Sequence, residues 1–437
     1  MKRFIPTIPG VASVLEPDVL ERGVISLSES TSTITWEAPG KASLHAKLAM
    51  LASALGYGVE GFDLLLLVFL LAPISVEFSL NTTQAATLMT GTLMGAVSGG
   101  IVFGFLSDRF GRVRVLGWTI LLFGIFTGLC AFAHGYWVLL VFRTIAGVGF
   151  GGEFGIGIAL VSETWPASLR ARASSYVALG GQCGILAAAM ITPFLLPRIG
   201  WRSLFLLGTL PVVMLFGLRR LIPEPPIFLR ARSHPHRVSP LRLLFKDAYT
   251  IRCSIGVITL CSVQQIGYYA LMTWLPYYLG TRHGLSLTRS AIWTSVTVLG
   301  MSSGIWLFGQ FADRIGRRPS FFLFQACAAI AVVGYAQLER PWALLIGGVL
   351  MGVFVNGMLG GYGVLISELY PTEVRATAQN LFFNIGRALG GFGPLLIGIL
   401  ATRFSFTTAI ALLAALYVVD LLATALLIPE TRGVQLA

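Results

Sequence analysis

The 437-residue chain is 55% hydrophobic and only 11% charged, with a mean hydropathy of +0.80, which leaves too little polar surface to cover a soluble fold of this length. Its net charge of +12 would suit a nucleic-acid binder, but the 31 Lys and Arg are not gathered on one soluble face. They cluster in alternate short segments between apolar runs, which points to a lipid bilayer and excludes nucleic acid as a partner.

The first 48 residues open with Met1, Lys2 and Arg3, are broken by Pro6 and Pro9 and then turn acidic, so they read as a tail and not as a cleaved leader. A bilayer core about 30 Å thick takes roughly 20 apolar residues per helix. Runs of that kind lie at 49–74, 87–107, 114–134, 137–162, 174–197 and 202–221, and again at 252–279, 290–311, 320–338, 342–366, 376–402 and 406–428. They are continuous and rich in Leu, Ala and Gly instead of alternating, which favours helices over a barrel. The expected fold is therefore an all-α membrane protein with twelve transmembrane helices, arranged as a 49–221 bundle and a 252–428 bundle. A linker spans 222–251, with Pro223, Pro225, Pro226, Pro235 and Pro240 and room for a short surface helix, and a tail spans 429–437. Lys and Arg concentrate in both tails, the linker and the even-to-odd loops. By the positive-inside rule both termini are cytoplasmic, with the segments around His134, Arg282 and Arg340 outside and a bacterial inner membrane as the location. The five cysteines (Cys130, Cys183, Cys253, Cys261, Cys327) fall inside apolar runs without metal-ligand spacing and read as packing residues.

The chain repeats itself. Gly104–Arg112, with Asp108, Arg109 and Arg112, returns 205 residues later as Gly309–Arg317, with Asp313, Arg314 and Arg317. Ser162-Glu163-Thr-Trp-Pro166 with Arg170 returns at the same offset as Ser367-Glu368-Leu-Tyr-Pro371 with Arg375, and Ile222-Pro223-Glu224 is echoed by Ile428-Pro429-Glu430. Two blocks that hold one offset over so long a stretch define two six-helix halves.

Charges inside spanning helices are costly, roughly 2.5 to 3.5 kcal/mol at the centre on insertion scales, and should face a cavity. Here they are Glu60 and Asp63, neighbours on one face of the first span, Arg143 and Glu153 in the fourth, Arg387 in the eleventh and Asp420 in the twelfth. Arg143 and Glu153 stand about 15 Å apart along one helix and cannot pair directly. Glu153 follows a glycine run and has Met358 as its counterpart in the second half, whereas Asp420 reads as an incidental polar position near a helix end. The planar fork of Arg387 suits a carboxylate, although an arginine there could also snorkel to the interface. Gln264, Gln265, Tyr268 and Tyr269 form a polar aromatic stripe in the seventh span, followed by Trp274 and Pro276; the stripe suits a substrate with hydroxyls or a ring, or equally helix packing. Asn356 in the tenth span and Gln182, the counterpart of Arg387, complete the candidate lining.

The Gly-x-x-x-Asp-Arg-x-Gly-Arg block and Arg143-x-x-x-Gly147-x-Gly149-x-Gly151 resemble the signatures of the major facilitator superfamily over residues 49–433. Glu60-Gly-Phe-Asp63, Gly152-Glu153-Phe-Gly155, Ser162–Pro166 and Trp201-Arg202 most resemble its sialate and aromatic-acid proton symporters. The resemblance implies that Asp108, Arg109, Arg112, Glu163, Arg170, Asp313, Arg314, Arg317, Glu368 and Arg375 are elements of a cytoplasmic gate. It implies that Asp63 pairs with Arg143 and carries the proton, with Glu153 and Glu60 as further coupling candidates. It also implies that Arg387 lines the central cavity and binds the substrate anion. The expected function is proton-coupled uptake of a small organic anion by a monomer without a cofactor. An exporter of metabolites or drugs, or a sugar or metabolite porter of the same fold, stays open. A membrane enzyme or sensor finds no nucleophile, His-rich or Cys-rich motif, and no Gly-x-x-x-x-Gly-Lys-Ser/Thr loop offers ATP drive.

Overall fold

The computed structural model describes residues 24–27, 34–37, 42–233, 240–283 and 287–436. Most of the expected amino-terminal tail and the middle of the linker around Pro235 lie outside the described residues. Within the tail, β1 (Val24–Leu27) and β2 (Ile34–Glu37) form an antiparallel pair, a departure from an all-helical chain. The first half then runs α1 (Leu44–Glu77), α2 (Thr82–Phe110), α3 (Arg112–Cys130), α4 (Tyr136–Phe150), α5 (Glu153–Thr164), α6 (Arg170–Gly208) and α7 (Leu210–Arg219). The linker holds two short helices, α8 (Pro226–Ser233) and α9 (Pro240–Leu244), where one was foreseen. The second half runs α10 (Ala248–His283), α11 (Leu287–Ile315), α12 (Arg317–Ala336), α13 (Pro341–Gly357), α14 (Leu359–Leu369), α15 (Arg375–Gly390), α16 (Gly393–Arg403) and α17 (Phe406–Leu427).

The twelve expected spans map onto these helices, with breaks the hydropathy pattern does not reveal. The fourth span divides at Gly151 and Gly152 into α4 and α5, the tenth at Met358 into α13 and α14, and the eleventh at Gly391 and Phe392 into α15 and α16. The fifth and sixth are parted inside α6 by Gly200, whose φ of 73° admits glycine without strain, and the sixth pauses again at Thr209 before α7. Among the described residues, 10 helical stretches, with α4–α5, α13–α14 and α15–α16 each taken as one, are long and apolar enough to cross a membrane. The other two spans are α11 and the end of α6 taken together with α7.

Two glycines at positive φ, Gly111 (120°) and Gly316 (109°), turn the chain between α2 and α3 and between α11 and α12. Each turn is closed by a glutamate from beyond the sixth helix of its own half. Glu224 accepts from the backbone N–H groups of Arg112 and Arg114 at 2.8 and 3.0 Å. Glu430 does the same for Arg317 and Arg318 at 2.9 and 3.0 Å. A carboxylate at a helix start meets unpaired N–H donors and the positive end of the dipole. The halves meet through α2 against α15 and α6 against α11. Inside the first half α1 and α6 approach closely, because a side chain at Gly184 would collide with the Gly58 carbonyl. Cys183, beside that contact, is exposed, so it is not the buried packing residue its apolar surroundings implied, whereas Cys130, Cys253 and Cys261 are buried.

Candidate substrate and coupling site

At the end of the bundle that carries the linker, two buried ion clusters join the halves. Arg112 reaches Asp108 (2.8 Å) and Glu163 (3.0 Å), and Glu163 also binds Arg375 of the other half (2.8 Å). In the second cluster Arg317 reaches Asp313 (3.3 Å) and Glu368 (2.9 Å), and Glu368 also binds Arg170 across the interface (3.1 Å). Asp108 in addition caps α15, accepting from Ala376 N (3.1 Å), Thr377 N (2.8 Å) and Thr377 Oγ1 (2.6 Å). Asp313 caps α6 through Ala171 N and Arg172 N at 3.1 and 3.2 Å. These are desolvated pairs and not solvated surface ones. Arg109 and Arg314, expected in the same clusters, are exposed and enter none of these ion pairs among the described residues. Asp108 and Arg112 meet across the turn at Gly111, which brings the first residue of α3 back to the last turn of α2, whereas Arg109 points elsewhere.

Three more buried ion pairs lie outside these clusters. Asp63 on α1 takes both terminal nitrogens of Arg143 on α4, at 2.6 and 3.0 Å, the bidentate geometry of a strong carboxylate–guanidinium bond. Glu60, one turn earlier on α1, accepts a single bond of 2.7 Å from Arg387 on α15 and so ties the two halves together. Arg387 lies twelve residues into α15, about 18 Å along the helix, and its buried guanidinium is turned to Glu60, which removes the snorkelling alternative. The third pair is Glu153 with Arg219 of α7 (2.5 Å), supported by Thr119 Oγ1, which donates to Glu153 at 2.5 Å, and by a bond from Arg219 to the Leu116 carbonyl. It lies wholly within the first half, so the structure does not bring Glu153 to the interface.

Arg219 is a member the sequence did not disclose: it stands beside Arg220 at the end of an apolar run and resembles a loop cation. Removing one partner of a buried ion pair costs about 3–5 kcal/mol, whereas replacing both by apolar groups can be neutral. Glu153→Leu is therefore expected to lower the thermal unfolding temperature in detergent, and Glu153→Leu with Arg219→Met to recover most of the loss. Equal melting of parent and single variant would remove the pair from the stabilising contacts of this half.

Around the Glu60–Arg387 bridge the walls are aromatic and amide. The Arg387 guanidinium carbon is 5.1 Å from the Phe383 ring centroid, Phe383 lies 4.2 Å from Phe154 across the interface, and Phe154 lies 4.7 Å from Tyr57. Gln265 and Tyr269 pack against Gly390, in the same turn as Arg387, and Tyr268 sits edge-on to Tyr269. Gln264 donates to Asn356 at 2.6 Å. Asn384, one turn before Arg387, donates to the Gly151 carbonyl at 3.3 Å, where the fourth span is broken. Glu60 Oε2, Gln182 Oε1, Gln264 Oε1 and Asn356 Nδ2 are buried with no hydrogen-bond partner in the protein. Gln265 and Tyr269 thus lie beside the turn that carries Arg387, whereas Gln264 pairs with Asn356 inside the second half. Asp420, foreseen near a helix end, is fully buried instead, with both carboxylate oxygens unpartnered by hydrogen bonds.

A twelve-span chain in two repeated halves, with charge clusters bridging them at one end and a further buried ion pair bridging them, is built as a membrane transporter. The sequence profile of the Major Facilitator Superfamily matches residues 53–341 and 291–436, and the chain belongs to that superfamily. It is a transporter and not an enzyme. It is 56% identical over 400 residues (90% of this chain, 98% of the relative) to a protein of Haemophilus influenzae provisionally named for metabolite transport. It is 30% identical over 392 residues (88% and 95%) to the cis,cis-muconate transport protein of Acinetobacter baylyi. Among solved structures, the proton:xylose symporter XylE bound to 6-bromo-6-deoxy-D-glucose superposes with a TM-score of 0.76 at 19% identity, covering 91% of this chain and 98% of that one; this likeness concerns the fold.

Proposed function

We propose that the protein takes up a small organic carboxylate together with protons, with the linker and both termini on the cytoplasmic face of a bacterial inner membrane. The observation that carries the proposal is the single bond between Glu60 and Arg387, a charge pair shared by the two halves and seated among Phe383, Phe154 and Tyr57. An incoming carboxylate competes with Glu60 for the fork of Arg387. A carboxylate displaced from its cation into a buried site gains affinity for a proton, since desolvation then acts without the opposing charge. Substrate binding and proton uptake become two sides of one exchange. Asp63, one turn away and held by Arg143, is the second seat for that proton. The ring-lined walls favour a flat, conjugated or aromatic acid, and the muconate relative carries an acid of that kind in its name. The two clusters around Arg112 and Arg317 act as the gate at the linker end, which is shut in this conformation.

Proteoliposomes test the whole reading. With acid outside and a more alkaline interior, conjugated acids such as muconate and benzoate are expected to accumulate above their equilibrium level, and a protonophore to abolish the accumulation. Carboxylates moving only outward against their gradient would mark an exporter. Uptake of xylose and not of acids would replace the substrate class.

A further inference from the structure

On the outer flank of the first half, away from the inter-half seam, α3 and α7 diverge at the linker end and leave a cleft of about 430 Å³. Its apolar lining includes Gly117, Leu121, Phe216 and Ile222, and Arg114 and Arg220 line it as exposed cations. Trp118, also in the lining, is exposed (41%). The Arg220 guanidinium is held over the Phe216 ring at 4.5 Å. The other two charges of the lining are already committed: Arg219 to Glu153 and the Leu116 carbonyl, Glu224 to the backbone amides that start α3.

We infer that this cleft is a binding site for an anionic phospholipid, with the headgroup phosphate between Arg114 and Arg220 and an acyl chain along Leu121 and Phe216. Three observations argue for lipid as the occupant. The cleft opens on the perimeter of a membrane-spanning bundle, at the level where α3 begins and α7 ends, which is the boundary between hydrocarbon and water. With Arg219 and Glu224 already paired, its lining sets two exposed arginines beside apolar side chains, the combination a phospholipid requires. A tryptophan belongs to the same lining, and its amphipathic ring is at home at that boundary. Basic clefts between spanning helices recruit acidic headgroups by charge. Because Arg219 also lines the cleft and links α7 to α3 and to Glu153, an occupied cleft braces the contact between the outer helices of this half.

Trp118 provides the readout. The full-length protein is reconstituted in phosphatidylcholine with increasing fractions of either brominated phosphatidylglycerol or brominated phosphatidylcholine. The quenched emission of Trp118 is isolated from the other tryptophans as the difference between the parent and Trp118→Phe. Brominated phosphatidylglycerol is expected to quench at a several-fold lower mole fraction than brominated phosphatidylcholine. Arg114→Gln with Arg220→Gln should erase that preference while size-exclusion behaviour is retained, since both side chains are exposed. Equal quenching by the two lipids in the parent, or an unchanged preference in the double variant, overturns the site. Displacement of the lipid by millimolar inorganic phosphate would make it a site for free anions and also overturn the proposal.

Discussion

Arg387→Lys is expected to weaken substrate binding by about 10- to 100-fold, because a charged hydrogen bond contributes roughly 1.5–3 kcal/mol and each 1.4 kcal/mol is a factor of ten. Lysine keeps the charge but loses the planar fork that can hold a carboxylate and still touch Glu60. Glu60→Gln is expected to act in the opposite sense. The guanidinium then has no competing anion, so the substrate binds at least as tightly, yet the proton has lost its partner in the exchange. Accumulation under an imposed pH difference should disappear, while exchange of labelled for unlabelled substrate across equal concentrations continues. Asp63→Asn tells the two carboxylates apart: if Asp63 is an obligatory seat, its variant also loses accumulation and keeps exchange. Parent-level accumulation by Glu60→Gln would move coupling to Asp63, and parent-level accumulation by both variants would end the proton-coupled reading.

The second large effect is expected at the gate. Glu163 binds Arg112 on its own half and Arg375 on the other, at 3.0 and 2.8 Å in a buried setting. Glu163→Gln leaves two arginines without their anion. A loss of about 3–5 kcal/mol from the conformer closed at the linker end corresponds to a shift of roughly 10²- to 10³-fold or more in the balance between conformers. Arg109 and Arg314, exposed and outside the ion pairs, are suitable places for spin labels, one on each half, in a cysteine-free background. The distance between them should lengthen in Glu163→Gln, and uptake should slow at matched protein levels. An unchanged distance together with an unchanged rate would reduce the cluster to a fixed strut.

Much of this was legible in the sequence, for identifiable reasons. Hydropathy and the repeat gave the halves, because bilayer thickness dictates run length and a duplicated block preserves offset. The intramembrane charges Glu60, Asp63, Arg143 and Arg387 stood out because lipid tolerates so few. What stayed hidden depends on three-dimensional pairing. That Glu60 and not Asp63 bridges the halves follows from where α15 places Arg387, and no local spacing encodes it. The contact of Phe154 with Phe383 and the bond from Asn384 to Gly151 join residues more than two hundred positions apart. Arg219 escaped notice because burial at a helix end looks in sequence like the start of a loop. Arg109 and Arg314 were overread, since a shared motif does not give each member the same face.

The paired closures by Glu224 and Glu430 have a mechanical consequence. Each glutamate fastens the exit of a half's sixth helix to the entry of its third, so each half is a closed loop of chain whose own ends do not depend on the other half. Stress applied at the seam is then carried by whole bundles instead of being dissipated by fraying of single helices. The linker beyond Glu224 becomes a tether more than a strut. Each half is thereby braced on itself, and the bonds that cross between the halves are the ones any separation would have to break.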